Sequence, residues 1–217
     1  MQTVRLLFAI STPCFRDLET DMVFELLREP LSSGYGDALI SLAECKQQLS
    51  IESSDTEWDT LIPILRDASI GFIEDLCETR LGPAEDLEWR SDEFPSTETL
   101  AIHLGVYPVT SITAISWVDS SGDAVTGDLA DFRLVRRSQL LPSVGGDGWP
   151  SDAGGEISIT FDAGYAAGDA PVALLHAVRL NLGHLFNHRE AVAAGDAPVE
   201  VPLGVMSLCS RYRQPRV

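Results

Sequence analysis

Between Trp58 and Leu76 the apolar residues Trp58, Leu61, Ile62, Leu65, Ala68, Phe72, Ile73 and Leu76 recur at steps of three and four. That spacing draws one apolar stripe along a long helix and excludes a half-buried strand, whose side chains alternate with a period of two. Ser54 and Asp55 precede the helix, Gly82-Pro83 closes it, and Pro63 falls inside it, predicting a kink or one missing hydrogen bond. Just upstream, Ser41-Leu42-Ala43-Glu44 has the form of a capping box, in which the serine hydroxyl accepts the Glu44 amide and the glutamate reaches back. A short helix to about Leu49 follows from it.

From Thr97 to about Tyr165 the period changes to two. Leu100, Ile102 and Leu104 alternate, as do Ile112, Ala114, Ser116 and Val118, with Ile115 and Trp117 on the opposite face. Ser120-Ser121-Gly122-Asp123 marks a hairpin turn, and Phe132 to Val135 and Glu156 to Phe161 are further strands. Gly145-Gly146-Asp147-Gly148 ahead of Trp149-Pro150 reads as a loop. After Asp169-Ala170-Pro171 the helical period returns. Val172, Leu175, Ala177, Val178, Leu180, Leu182, Leu185 and Phe186 are apolar on more than one face, so this helix should be covered by its own domain on one side and by something else on another.

The reading is therefore an α+β fold. Residues 1–36 form an N-terminal arm without a core of its own, carrying a mildly amphipathic stretch from Leu18 to Leu27. Residues 37–96 are a helical part, 97–168 an inserted small antiparallel β part, 169–194 a C-terminal helix packed on the helical part, and 195–217 an extended tail. At 217 residues with 45% apolar and 22% charged side chains, the chain can bury one ordinary core, which excludes wholesale disorder. The run Leu6-Leu7-Phe8-Ala9-Ile10 is too short for a secretory leader, and no stretch is long enough for a membrane span. Cys14, Cys45, Cys77 and Cys209 stand far apart without a C-x-x-C pair, predicting reduced thiols in a cytoplasm rather than a zinc knuckle.

Net charge is −18, and between Asp17 and Thr99 stand 21 acidic against five basic residues. Such a field repels phosphates and argues against a surface that grips DNA. The basic residues that do cluster are Arg133, Arg136 and Arg137, and Arg211, Arg213 and Arg216, which suit acidic partners; scattered surface arginines are the plain alternative. His184 and His188 are four apart, with His176 two turns earlier and Glu190 nearby, a spacing that can bring two imidazoles to one metal. The segment His184-Leu185-Phe186-Asn187-His188 lacks the glutamate base of a zinc protease, so surface or interface histidines are preferred. His103 reads as a packed side chain. No G-x-S-x-G elbow, phosphate-binding G-x-x-x-x-G-K or G-x-G-x-x-G turn is present. No catalytic residue, metal or cofactor is therefore expected.

Several short motifs in order resemble the head-tail connector, or adaptor, proteins of long-tailed double-stranded DNA bacteriophages and related prophages. They are Ser41-Leu42-Ala43-Glu44-Cys45-Lys46-Gln47-Gln48-Leu49; Asp55 to Ile64 with Ala68; Tyr107-Pro108-Val109-Thr110-Ser111-Ile112; Ile159 to Tyr165; Ala170-Pro171; Asn187-His188-Arg189-Glu190; and Leu208 to Arg213. The resemblance covers about Leu39 to the C-terminus, and residues 1–36 depart from it. It implies a structural protein of the virion neck, assembled in the host cytoplasm as a homo-oligomeric, dodecameric ring. The ring would sit on the portal protein, extend the DNA channel and receive the downstream neck (stopper) or tail protein. Double-stranded DNA would pass without specific binding, and no membrane would be involved. On that resemblance Arg211, Tyr212 and Arg213 would dock on the portal, and Leu182, Leu185, Phe186 and Arg189 would face neighbouring subunits. Two alternatives are a small metal-dependent or hydrolytic enzyme using His176, His184 and His188, and an acidic cytoplasmic adaptor or chaperone.

Overall fold

The structure is a computed structural model, which describes residues 14–16, 23–27, 34–97, 99–188 and 203–213. In chain order its elements are β1 (Cys14–Arg16), β2 (Val23–Leu27), α1 (Tyr35–Leu39), α2 (Leu42–Gln48), α3 (Leu61–Cys77), β3 (Ala84–Ser91) and β4 (Ile102–His103). There follow β5 (Val109–Asp119), β6 (Ala124–Thr126), β7 (Phe132–Val135), β8 (Gln139–Pro142), β9 (Ala153–Ala163), α4 (Val172–Asn187) and α5 (Leu203–Cys209). Helices and antiparallel strands are segregated, as an α+β fold requires.

Six strands form one sheet in the order β1-β2-β3-β9-β5-β6, and a second sheet has the order β4-β8-β7. Every pairing is antiparallel. The two share one apolar core built around Leu87, Trp89, Ile115, Leu140, Ile159 and Phe161. A second core lies among the helices, where Ile40, Cys45, Ile62, Ile70, Ile73, Leu174, Val178 and Leu182 are buried together.

The helical signals hold except at the end of α3, which stops at Cys77, where Glu78 turns left-handed, ahead of the expected Gly82-Pro83. Ser41 caps α2 in a complete capping box, its hydroxyl accepting the Glu44 amide while Glu44 accepts the Ser41 amide at 2.9 Å. Pro63 causes no kink. The helix begins at Leu61 rather than at Trp58, so the proline sits in the first turn, where its missing N–H has no intrahelical partner to lose. Behind the helix start, the segment from Ser50 to Thr60 is held by Lys46, whose buried ammonium donates to the Asp55 carbonyl at 2.7 Å and pairs with Asp59.

Three boundaries are corrected. Residues 1–36 are not a coreless arm: β2 pairs with β3, and Phe24 and Leu26 are buried in the sheet core. The helical part does not reach residue 96, because β3 runs through the middle of the large sheet. Its Leu87 and Trp89 alternate inward beneath the charged Glu88 and Arg90, which masked the apolar period. The tail is not extended throughout, since α5 folds Val205 and Cys209 into the helical core. Within β5, shifts of register near Thr110, Thr113 and Val118 interrupt strict alternation. Val109, Ile115 and Trp117 turn inward while Ala114 is exposed.

A buried ionic junction ties the helices to the sheet. Glu74 on α3 is 0% exposed. It accepts the Tyr35 hydroxyl at 2.5 Å, the Leu81 amide at 2.8 Å and an Arg80 guanidinium N–H at 2.7 Å. The Gly82 amide in turn donates to the Tyr35 oxygen at 2.8 Å. Burial, reinforced by the Glu74 charge, pushes the Tyr35 hydroxyl well above its ordinary range, so it stays a donor. Beyond Glu74 the chain crosses into the sheet: Arg80 N–H donates to the Tyr107 carbonyl, Tyr107 N–H to Glu78, and Gly164 N–H to Pro108. Gly164 is required there. Its φ is +103°, and a Cβ would stand 1.9 Å from the Gly82 carbonyl oxygen.

Candidate functional site

The late helix was expected to leave one apolar side for a partner. In the fold, α3 and α5 both pack on α4 and take up most of that surface. Leu182 is 0% exposed inside the helical core and cannot face a neighbouring subunit; the short C-terminal helix that the sequence reading missed supplies the second cover. Phe186 is half-buried and meets Trp58 edge-on at 5.4 Å. Leu185 is half-buried and outside the helical core cluster, so it retains the placement an interface residue needs. Arg189 lies outside the described residues. Val172 at the start of α4 and Ile64 on α3 are the strongly exposed apolar side chains of the helices, at 77% and 65%.

Among the described residues His176, His184 and His188 do not gather with carboxylates into a metal-holding group, and Glu190 lies outside the described residues. The His184 and His188 rings lie 4.8 Å apart, and His188 Nδ1 is 3.1 Å from the His184 carbonyl oxygen, a local contact at the end of α4. His176 is exposed on the same helix. Among the described residues no group of three or more His, Cys, Asp and Glu side chains is arranged to hold a metal. His103 Nε2 is 3.0 Å from the Gln139 side-chain amide, within the small sheet. Among the described residues no helix is long and apolar enough to cross a membrane.

The C-terminal residues come to a more populated place. α5 ends at Cys209, and the Tyr212 and Arg213 amides both donate back to the Cys209 carbonyl, at 2.9 and 3.2 Å. Cys209 packs on Cys77 at the end of α3; Cys77 Sγ lies 3.9 Å from the Cys209 carbonyl oxygen, and both thiols are free and buried. A hydrogen shared between the thiols pushes Cys77 up and Cys209 down, with burial pushing both upward. Arg213 stands within electrostatic reach of the pair.

Two residues beyond Cys77, the Thr79 hydroxyl donates to the Tyr107 carbonyl at 2.7 Å. The Tyr107 ring meets Tyr165 edge-on at 6.3 Å, and the Arg137 guanidinium lies 5.8 Å from its centroid. Burial first, then neighbouring Tyr107 and Tyr212, raise the Tyr165 hydroxyl, with Arg137 opposing them. Tyr212 is thus within electrostatic reach of Tyr165, as is Arg137 of the β7–β8 turn, which also carries Arg136; Arg211 and Arg213 flank Tyr212. All four arginines are exposed. The sequence shows both basic pairs; the approach of Arg137 and Tyr212 to Tyr165 depends on the β3–β9–β5 pairing and on α5, neither of which the sequence reading placed.

No protein-family model matches the chain, and no curated protein does. Solved structures do. The chain is similar to a protein in the neck of an empty gene transfer agent particle computed with C6 symmetry, at 25% identity and a TM-score of 0.68. That match covers 88% of this chain and 96% of the other. A chain in the virion of a native gene transfer agent particle matches at 26% identity, a TM-score of 0.67 and the same coverage. A third, in the neck of a native particle computed with C12 symmetry, matches at 26% identity and a TM-score of 0.61, again over 88% and 96%.

Proposed function

We propose, for a chain that belongs to the head-tail connector family of phage-like particles, that it is the adaptor subunit of a virion neck. Copies assemble as a ring between the portal and the downstream neck or tail protein, and the ring extends the DNA channel. The observation that carries this is the match to chains in particle necks, over 88% of this chain and 96% of the other. Neck structures solved with sixfold and twelvefold symmetry support a cyclic assembly of identical copies. Contacts between unlike patches of identical subunits close into such rings when the rotation divides a full turn.

In this ring the exposed acids Glu57, Asp67 and Asp75 of the helical part face or approach the channel, where like charge keeps passing DNA from adhering. The segment after α5, with Arg211, Tyr212 and Arg213, docks on the portal. Leu185 and Phe186 lie at the subunit boundary; Leu182 does not. The test is attachment to portal-bearing capsids. Truncation after Ser210 keeps Cys209 in the core and removes the basic segment, so it should abolish attachment while leaving the fold intact. Undiminished attachment refutes the assignment of that segment.

A further inference from the structure

The β7–β8 turn is built from residues that strain it. Arg136 and Arg137 both adopt left-handed backbone, with φ of +53° and +56°. Two consecutive left-handed residues make the tight hairpin turn that Asn-Gly forms most readily. Strained backbone of this kind persists where the side chains it displays are used. Here it displays two guanidinium groups.

The turn is rigidly placed. The Val109 amide donates to the Arg137 carbonyl at 2.7 Å, and the Tyr107 carbonyl accepts the Arg80 amide at 3.0 Å. The Arg137 guanidinium stands over the Tyr107 ring, and Tyr107 meets Tyr165 edge-on. Through Thr79 and Cys77 the same junction reaches Cys209 and the exposed Arg211 and Arg213. None of Arg136, Arg137, Arg211 and Arg213 forms an ion pair with another described residue. A chain of net −18 thus presents Arg137 over the Tyr107 ring with Arg136 next to it, and exposed Arg211 and Arg213 just beyond the Cys77–Cys209 contact of the same junction.

We propose that Arg136, Arg137, Arg211 and Arg213, with Tyr107 and Tyr165, form a docking site for an extended acidic segment of a partner protein. Guanidinium forks match carboxylates two bonds at a time, and tyrosine rings supply flat apolar contact for the peptide between them. Nucleic acid fits less well, because a long polyphosphate must also approach the acidic remainder of the molecule, while a short peptide need not. The inference deepens the docking role proposed for the C-terminal segment and rests on it only for where the partner stands.

The test uses the full chain and a fluorescein-labelled peptide of eight glutamates, followed by fluorescence anisotropy at low and high salt. The wild-type chain should bind saturably at low salt. Arg136→Asn/Arg137→Gly installs the favoured turn, so it should raise the melting temperature and weaken binding by about tenfold, the loss of one or two charge-assisted contacts. Arg211→Gln/Arg213→Gln should weaken binding similarly. Absence of peptide binding, or binding untouched by both variants, overturns the proposal. So does tighter binding of a single-stranded oligonucleotide of equal charge. Self-association of the wild-type chain that the Asn-Gly variant abolishes, without peptide binding, overturns it in favour of a second copy as occupant. No particle enters this titration, so its result is independent of the capsid-attachment test.

Discussion

Glu74→Ala should be among the most damaging single substitutions in this molecule. The carboxylate is fully buried and holds three donors from two parts of the chain: Tyr35 in α1, and the Arg80 side chain and Leu81 amide of the crossing segment. Arg80 depends heavily on it, since its side chain is 6% exposed and its Nε already lacks a partner. Removing one member of a buried ion pair leaves the other uncompensated, at about 3–5 kcal/mol. For a chain of this size each kcal/mol shifts the midpoint by roughly 2–4 °C, so a fall on the order of 10 °C is expected. Urea unfolding followed by circular dichroism, with a thermal melt beside it, measures both. Replacing all three side chains with apolar ones, as Tyr35→Phe/Glu74→Leu/Arg80→Met, should recover the part of the loss that comes from the stranded charge, while the Leu81 and Gly82 amides remain without their acceptors. A loss below about 1 kcal/mol for Glu74→Ala, or a triple variant worse than the single, refutes this account of the junction.

Three further outcomes follow from the same structure. Ser41→Ala should cost about 1 kcal/mol through loss of the α2 cap. The bonds from the Ser41 amide and hydroxyl hold the Glu44 carboxyl below its usual value, so its contribution is full at neutral pH and disappears as pH falls through that lowered pKa. Urea midpoints across the acid range should therefore fall less steeply with acidification in the variant. Gly164→Ala should destabilise by on the order of 3 kcal/mol or more, from the left-handed backbone and the overlap with the Gly82 carbonyl; a melt unchanged from wild type contradicts the crossing geometry. Leu182→Ala should cost about 2–5 kcal/mol as a core cavity, whereas Leu185→Ala should lower the isolated chain's stability far less. Equal losses in denaturant titrations would remove Leu185 from the subunit boundary.

What the sequence discloses here is local. The Ser41 capping box, the stripes of α3 and α4, the Ser120–Asp123 turn and the strands at Phe132 and Ile157 each carry their own periodicity or turn chemistry within a dozen residues. What it conceals depends on pairing between distant segments. β3 falls inside the part read as helical because Glu88 and Arg90 at its outward positions hide the alternation, and only its neighbours β2 and β9 make the inward Leu87 and Trp89 a core. The helix α5 is too short to announce itself, yet it decides that Leu182 is interior. The arginines are in the same position: Arg136, Arg137, Arg211 and Arg213 are visible as basic pairs, while the placement of Arg137 over Tyr107 is a product of the tertiary fold.

Reconstruction of the neck of a particle that carries this protein, with mass spectrometry of the same preparation, bears on the connector assignment without intermediaries. A cyclic ring of this chain between the portal and the next neck protein, with the Arg211–Arg213 segment on the portal side, is the expected density. A purified particle that lacks the chain, or holds it anywhere other than the neck, contradicts the assignment.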